Sequence, residues 1–287
     1  MTLALAWIRN ARRPHELIIA SDSRLRFGCA WDSCQKVFPL PRGDCALAFA
    51  GDTHFAYPFV HMAINAVSLH RGSRRRTVDI SEAVPFLLRA INAGLGQIRD
   101  LAVGRDSFEE PDLRLIFGGY SWRRKEFLIW KFHFNPGERE FRQVQVGPWN
   151  GLGTGRTLLV FGNPEASPSA VRRAGRTGGG PVKATEDVQQ IAKQRFLELL
   201  DGRGVREGHG LDMEPLEVLC GMVRDGLSPY VGGPPQVVKV YQHMNVQPFG
   251  IRWPGPQDPI AVLGRILSPG EKVHVPVLNP ETLRVER

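Results

Sequence analysis

The sequence predicts an α+β fold in which two β-sheets stack face to face and helices cover their outer surfaces. Three observations carry the prediction. Short apolar runs bounded by turn residues occur in three groups. Two stretches of helical character separate each group from the next. The resulting order (strands, two helices, strands, two helices, strands) is the one expected of stacked sheets with helices outside each.

The first strand runs Thr2-Leu3-Ala4-Leu5-Ala6-Trp7-Ile8, and the second is Leu17-Ile18-Ile19-Ala20. The polar, proline-containing connection between them reads as a β-hairpin turn. With the turn centred near Arg12, position 2 falls opposite position 22, and directly opposed side chains lie ~5 Å apart. A further strand, Cys45 to Ala50, ends at Gly51-Asp52. The residues from Thr53 through His70 form a helix apolar on nearly every face, which must be covered on several sides, inside the chain or by a neighbouring subunit. A second helix starts at Ser81 as N-cap, with the stripe Val84, Leu88, Ile91, Leu95 and Ile98. Strands follow at Leu113–Phe117, ending at Gly118-Gly119, then at Phe127–Phe134, Phe141–Val146 and Thr157–Phe161. Helices resume at Thr185–Leu200 and Met213–Arg224, and Gln236–Tyr241 and Val246–Trp253 close the pattern. Residues 164–184 are too glycine-rich for a packed element and read as a mobile insertion. A proline-rich tail, 254–287, follows the main domain of residues 1–253. Whether it braces a neighbouring subunit or folds over its own sheet, the sequence leaves open.

Thr2 stands directly behind Met1. A small residue there favours removal of the methionine, which leaves one residue with both a hydroxyl and a free α-amine. That amine has an ordinary pKa of ~7.7–8.0, so it can act as a base near neutral pH. A threonine paired with its own amine is an activated nucleophile. Asp22, opposite it, can hold a cation, and Lys36 supplies one. An ammonium near Thr2 disfavours the protonated amine and stabilises an alkoxide. Gly51, at a strand end, lets the backbone approach a ligand and offers an N–H as oxyanion donor. Arg24 reads as structural, holding Asp22 and nearby loops.

Thr2, the Asp22-x-Arg24 pair, Lys36 and Gly51 together resemble the active-site series of the proteasome β-subunit family. These are N-terminal-nucleophile (Ntn) hydrolases that include bacterial HslV-type and Anbu-type peptidases. The resemblance implies a four-layer αββα sandwich, a threonine peptidase activity on polypeptides, and a homo-oligomeric ring or helical stack. It leaves room for an ATP-dependent unfoldase partner, which no residue here identifies. It also implies that Asp225 and Ser228, with Asp-x-x-Ser spacing ahead of Gly232-Gly233, support the nucleophile. Gly162-Asn163 stands where the family has a mid-chain Gly-Ser-Gly. The first hairpin is longer than the family's, and Pro229, Tyr230 and Val231 intervene between Ser228 and Gly232. The match is specific over 2–70, looser over 110–242 and absent afterwards. Small-molecule amide hydrolysis on the same fold and a non-catalytic ring or binding subunit stay open as alternatives.

Bulk properties bound these readings. A chain of 287 residues, 42% hydrophobic and 23% charged, has ordinary globular composition. No apolar run approaches the ~20 residues of a membrane span, and no signal peptide opens the chain, so a cytoplasmic location is expected. The four cysteines and eight histidines show no metal-ligand spacing, and neither metal nor cofactor is expected. The net charge of +8 favours acidic partners, but no nucleic-acid-binding module accompanies it. Gly151 to Thr157 lacks the lysine and following helix of a phosphate loop and reads as a turn. The arginine-rich Arg71–Arg76 segment reads as a solvated connection between helices.

Overall fold

The chain is mixed α and β with mostly antiparallel sheets, as seen in a computed structural model that describes residues 2–26, 29–99, 110–148, 156–162, 188–205, 209–226 and 228–286. In chain order the elements are β1 (Leu3–Arg9), β2 (Glu16–Ser21), β3 (Leu25–Arg26), β4 (Ala30–Trp31), β5 (Val37–Pro39), β6 (Cys45–Gly51), α1 (Thr53–Leu69), α2 (Arg71–Arg74) and α3 (Ile80–Leu95). Then come β7 (Leu113–Ser121), β8 (Glu126–Asn135), β9 (Glu140–Gln145), β10 (Leu158–Gly162), α4 (Val188–Gly202) and α5 (Glu214–Asp225). The chain closes with β11 (Gln236–Tyr241), β12 (Asn245–Arg252), β13 (Ile260–Val262), β14 (Arg265–Ile266) and β15 (Val277–Leu278).

The larger sheet has the order β10-β1-β2-β11-β12-β13-β14, a second has β5-β6-β7-β8-β9, and β3 and β4 pair by themselves in a two-stranded sheet. Strand alternation sorts their side chains. Leu3, Leu5 and Trp7 join the residues of α4 and α5 in one apolar cluster. Ala4 and Ala6 join Leu17, Ile19, Val37, Ala48 and Ile116 in another, between strands of the two sheets. A third cluster sets Leu47, Phe49, Leu115 and Phe117 against α1 and α3. Thr2 shares the parity of Ala4 and so belongs to the face that looks toward the second sheet.

Several expectations need correction. The hairpin register pairs Ala4 with Ser21 and Trp7 with Ile18, one residue away from the symmetric reading about Arg12. Asp22 therefore lies across from Leu3, whose carbonyl accepts the Asp22 N–H at 3.2 Å. Helix α3 is capped by Asp79, whose carboxylate accepts the Ser81 N–H, rather than by Ser81. The strand expected to stop at Gly118-Gly119 runs on to Ser121. Those glycines make room: a Cβ at Gly119 would fall 2.2 Å from Ile80 Cδ1, and one at Gly118 2.8 Å from Leu17 Cδ2.

Helix α1 buries Ala56, Phe59, Val60, Ala63 and Val67, leaving Met62 and Leu69 on an open outer side. Among the described residues nothing covers that side. The tail folds over its own sheet, because β13 pairs antiparallel and β15 parallel with β12. Ala261, Leu278 and Leu283 enter the same cluster as Trp7. The expected insertion at 164–184 lies outside the described residues. No helix among the described residues is long and apolar enough to cross a membrane.

Candidate active site

Thr2 is buried where β1 begins, and two neighbours complete a charged triangle. Lys36 Nζ donates to Thr2 Oγ1 at 2.9 Å and to Asp22 Oδ1 at 2.9 Å. Lys36 and Asp22 are both 0% exposed. Strand alternation alone would turn residue 22 toward the opposite face from residue 2. The strand ends at Ser21, however, so Asp22 is freed from the pleat and its carboxylate curls back to the start of β1. There Oδ1 accepts the Leu3 N–H at 3.0 Å, while Oδ2 accepts the Arg24 and Gly232 N–H groups, each at 3.1 Å. The carboxylate is held by three backbone donors as well as the ammonium, which satisfies a charge that would otherwise be costly to bury.

Burial pushes the Lys36 pKa below the usual lysine value, and the Asp22 charge opposes that drop. A buried ammonium with a lowered pKa is an effective proton-sharing partner for a hydroxyl. Because Lys36 donates to Oγ1, the hydroxyl's own proton is left for another acceptor.

Gln236 holds this arrangement together and was not found by sequence reading. Its side-chain oxygen accepts the N–H of Lys36 at 2.9 Å and of Val37 at 3.1 Å. Its amide nitrogen donates to Asp22 O, Ser23 Oγ and Cys34 O at 3.1, 2.9 and 2.8 Å. The available signal was a polar residue opening the strand, ahead of Val237 and Val238. The tail reaches the same place. The turn between β13 and β14 sets Gly264 so close that a Cβ there would lie 2.6 Å from Ser23 Oγ and 3.0 Å from Gln236 Nε2.

Gly51 closes β6 with φ +122, and a Cβ at that position would lie 2.0 Å from the Asp112 carbonyl oxygen. Only glycine fits both the angle and the space. The Arg24 guanidinium grips both oxygens of Asp32 at 2.6 and 2.7 Å, and Arg24 meets Asp22 through its backbone N–H rather than its side chain.

Asp225 and Ser228 are not brought to the triangle. Asp225, at the end of α5, pairs with Arg195 at 2.5 Å on the surface. Ser228 Oγ accepts the Tyr230 N–H at 3.3 Å. Among the described residues neither hydrogen-bonds to Thr2, Asp22 or Lys36. Asp225 ends α5 beside Arg195, and Pro229, Tyr230 and Val231 separate Ser228 from Gly232, whose N–H does reach Asp22. Asn163 lies outside the described residues. Among the described residues no cluster of three or more histidine, cysteine or acidic side chains is placed to hold a metal ion.

No protein-family model and no curated protein sequence matches this chain.

Proposed function

We propose that the chain is a threonine peptidase of the Ntn-hydrolase type, in which the residue after the removed Met1 is the nucleophile. One observation carries the reading: a fully buried lysine stands 2.9 Å from both Thr2 Oγ1 and the Asp22 carboxylate. The partition of apolar clusters between sheet and sheet, and between each sheet and its helices, supports the four-layer αββα sandwich that such an enzyme would have.

In the proposed reaction the α-amine of Thr2, through a water, takes the hydroxyl proton as Oγ1 attacks a peptide carbonyl. Lys36, held by Asp22, stabilises the negative charge developing around Oγ1. The Gly51 N–H receives the oxyanion, a contribution typically worth ~3–4 kcal/mol. The C–N bond breaks as the leaving amine is protonated, giving a threonyl ester. A water then attacks the ester as the amine takes its proton; the ester C–O bond breaks, the amine passes that proton to Oγ1, and the carboxylic acid departs to free Thr2. The open side of α1 suits a homo-oligomer that encloses its sites. Asp225 and Ser228 have no part in this scheme.

The experiment is hydrolysis of fluorogenic peptides and of small amides by the chain with Met1 removed. Peptide turnover that disappears in Thr2→Ala supports the reading. Turnover of small amides alone would move the protein to small-molecule amide hydrolysis, and turnover unaffected by Thr2→Ala would refute the mechanism.

A further inference from the structure

A cleft of about 850 Å³ opens between the β10 edge of the larger sheet and strands β7 and β8 of the smaller one. Leu159 and Phe161 form one wall, and Arg114, Lys131 and His133 project from the other, with Lys193 of α4 at the rim. The parity of these strands explains the convergence. Ile116 and Ile129 face the inter-sheet layer, so Arg114, Lys131 and His133 face it too, at the end where that layer opens.

Elsewhere on the surface arginines meet carboxylates, as in Arg203–Glu217 and Arg265–Glu271. Here neither Arg114 nor Lys131 has an ion-pair partner among the described residues. Among the described residues Arg114 makes long contacts, to Gly162 O at 3.5 Å and Gln189 Oε1 at 3.4 Å, and lies over the Phe161 ring at 6.0 Å. His133 Nδ1 is buried without a hydrogen-bond partner among the described residues. Burial, with Lys131 and Arg114 nearby, pushes the His133 pKa below its usual value. Among the described residues Asp112 is the single acid of the cleft wall, and burial raises its pKa. Positive charge concentrated in a concave, low-dielectric site draws anions, and an orphaned buried nitrogen is satisfied only by a ligand or water.

The cleft adjoins the candidate nucleophile. Asp112 lies against Gly51, Phe161 pairs with Ala4, and Gly162 pairs with Leu3. Ala50 pairs with Arg114, and Arg114 with His133. At ~4.8 Å between strands, His133 is roughly 10 Å from the end of β6, a span that about three extended residues cover.

We propose that this cleft binds the carboxylate of an acidic residue in a peptide substrate, about three residues from the bond Thr2 attacks. The proposal rests on the peptidase reading and gives it a substrate class.

The test compares internally quenched peptides that differ only by Asp or Asn at each position flanking the cleavage site. The expected result is a kcat/KM ratio of about tenfold or more in favour of Asp at one position. That ratio should fall to about one in Arg114→Gln/Lys131→Gln. Equal cleavage of the Asp and Asn peptides at every position overturns the proposal while leaving the peptidase reading intact. Calorimetry on the wild-type chain decides the matter if no peptide is cleaved, or if the variant does not fold. Preferential binding of the Asp peptide, weakened by salt, supports the proposal, and equal binding overturns it. Inorganic phosphate binding as tightly as the Asp peptide also overturns it, because the cleft would then serve small anions.

Discussion

The side-chain oxygen of Gln236 accepts the backbone N–H of Lys36 at 2.9 Å, across 200 positions of sequence. Through that bond and its neighbours, the first residue of β11 fixes the lysine that touches Thr2. Gln236→Leu would leave the N–H groups of Lys36 and Val37 without their acceptor, at about 1–3 kcal/mol for each buried donor. The expected outcome is a lower melting temperature and a reduced kcat with Thr2 untouched. Wild-type thermal stability and kcat in this variant would show that Gln236 is dispensable.

Lys36 gives a pH signature. Its folded pKa is lowered by burial, so its proton leaves the native state at a lower pH than it leaves the unfolded chain. Activity that depends on the ammonium should therefore fall at a pH below the ordinary lysine range. Between the lowered pKa and the unfolded value of about 10.4, the unfolded state binds more protons. The stability of the wild type relative to Lys36→Met should rise there. Peptide turnover that persists unchanged to pH 10.5 would show that Lys36 does not act as a charged group.

Removing the lysine altogether isolates a buried carboxylate. Lys36→Met is expected to destabilise the fold by about 3–5 kcal/mol, the usual cost of breaking a buried pair from one side. Lys36→Met/Asp22→Asn should recover part of that loss without recovering activity. Denaturant unfolding of both variants measures it, and a double variant no more stable than the single one would count against the pairing as the cause.

Gly51→Ala tests the strand end. The angle of φ +122 and the 2.0 Å approach to Asp112 O leave no room for a methyl group. Backbone displacement there should abolish peptide turnover and cost at least ~1–3 kcal/mol of stability. A fully active Gly51→Ala chain would exclude this N–H from the reaction.

The early part of the chain was legible because its signals are local. Thr2, Lys36 and Gly51 stand at strand ends, where apolar runs and turn residues mark the boundaries. The hairpin register was off by one because loop symmetry cannot distinguish a turn centred on a residue from one centred on a bond. Asp22 reaches the site by leaving its strand, which no periodicity encodes. Gln236 and the Gly264 turn were missed for a different reason: both act over long sequence separations, and each looks unremarkable in its own window. Gly118-Gly119 misled because closeness of packing, rather than a turn, explains both glycines.

The most direct measurement is the intact mass of the purified chain before and after treatment with a β-lactone, followed by peptide mapping. The account predicts a chain lacking Met1 that gains one probe, located on Thr2, with no gain in Thr2→Ala. A chain that keeps Met1, or cleaves peptides while Thr2 stays unlabelled, would contradict it.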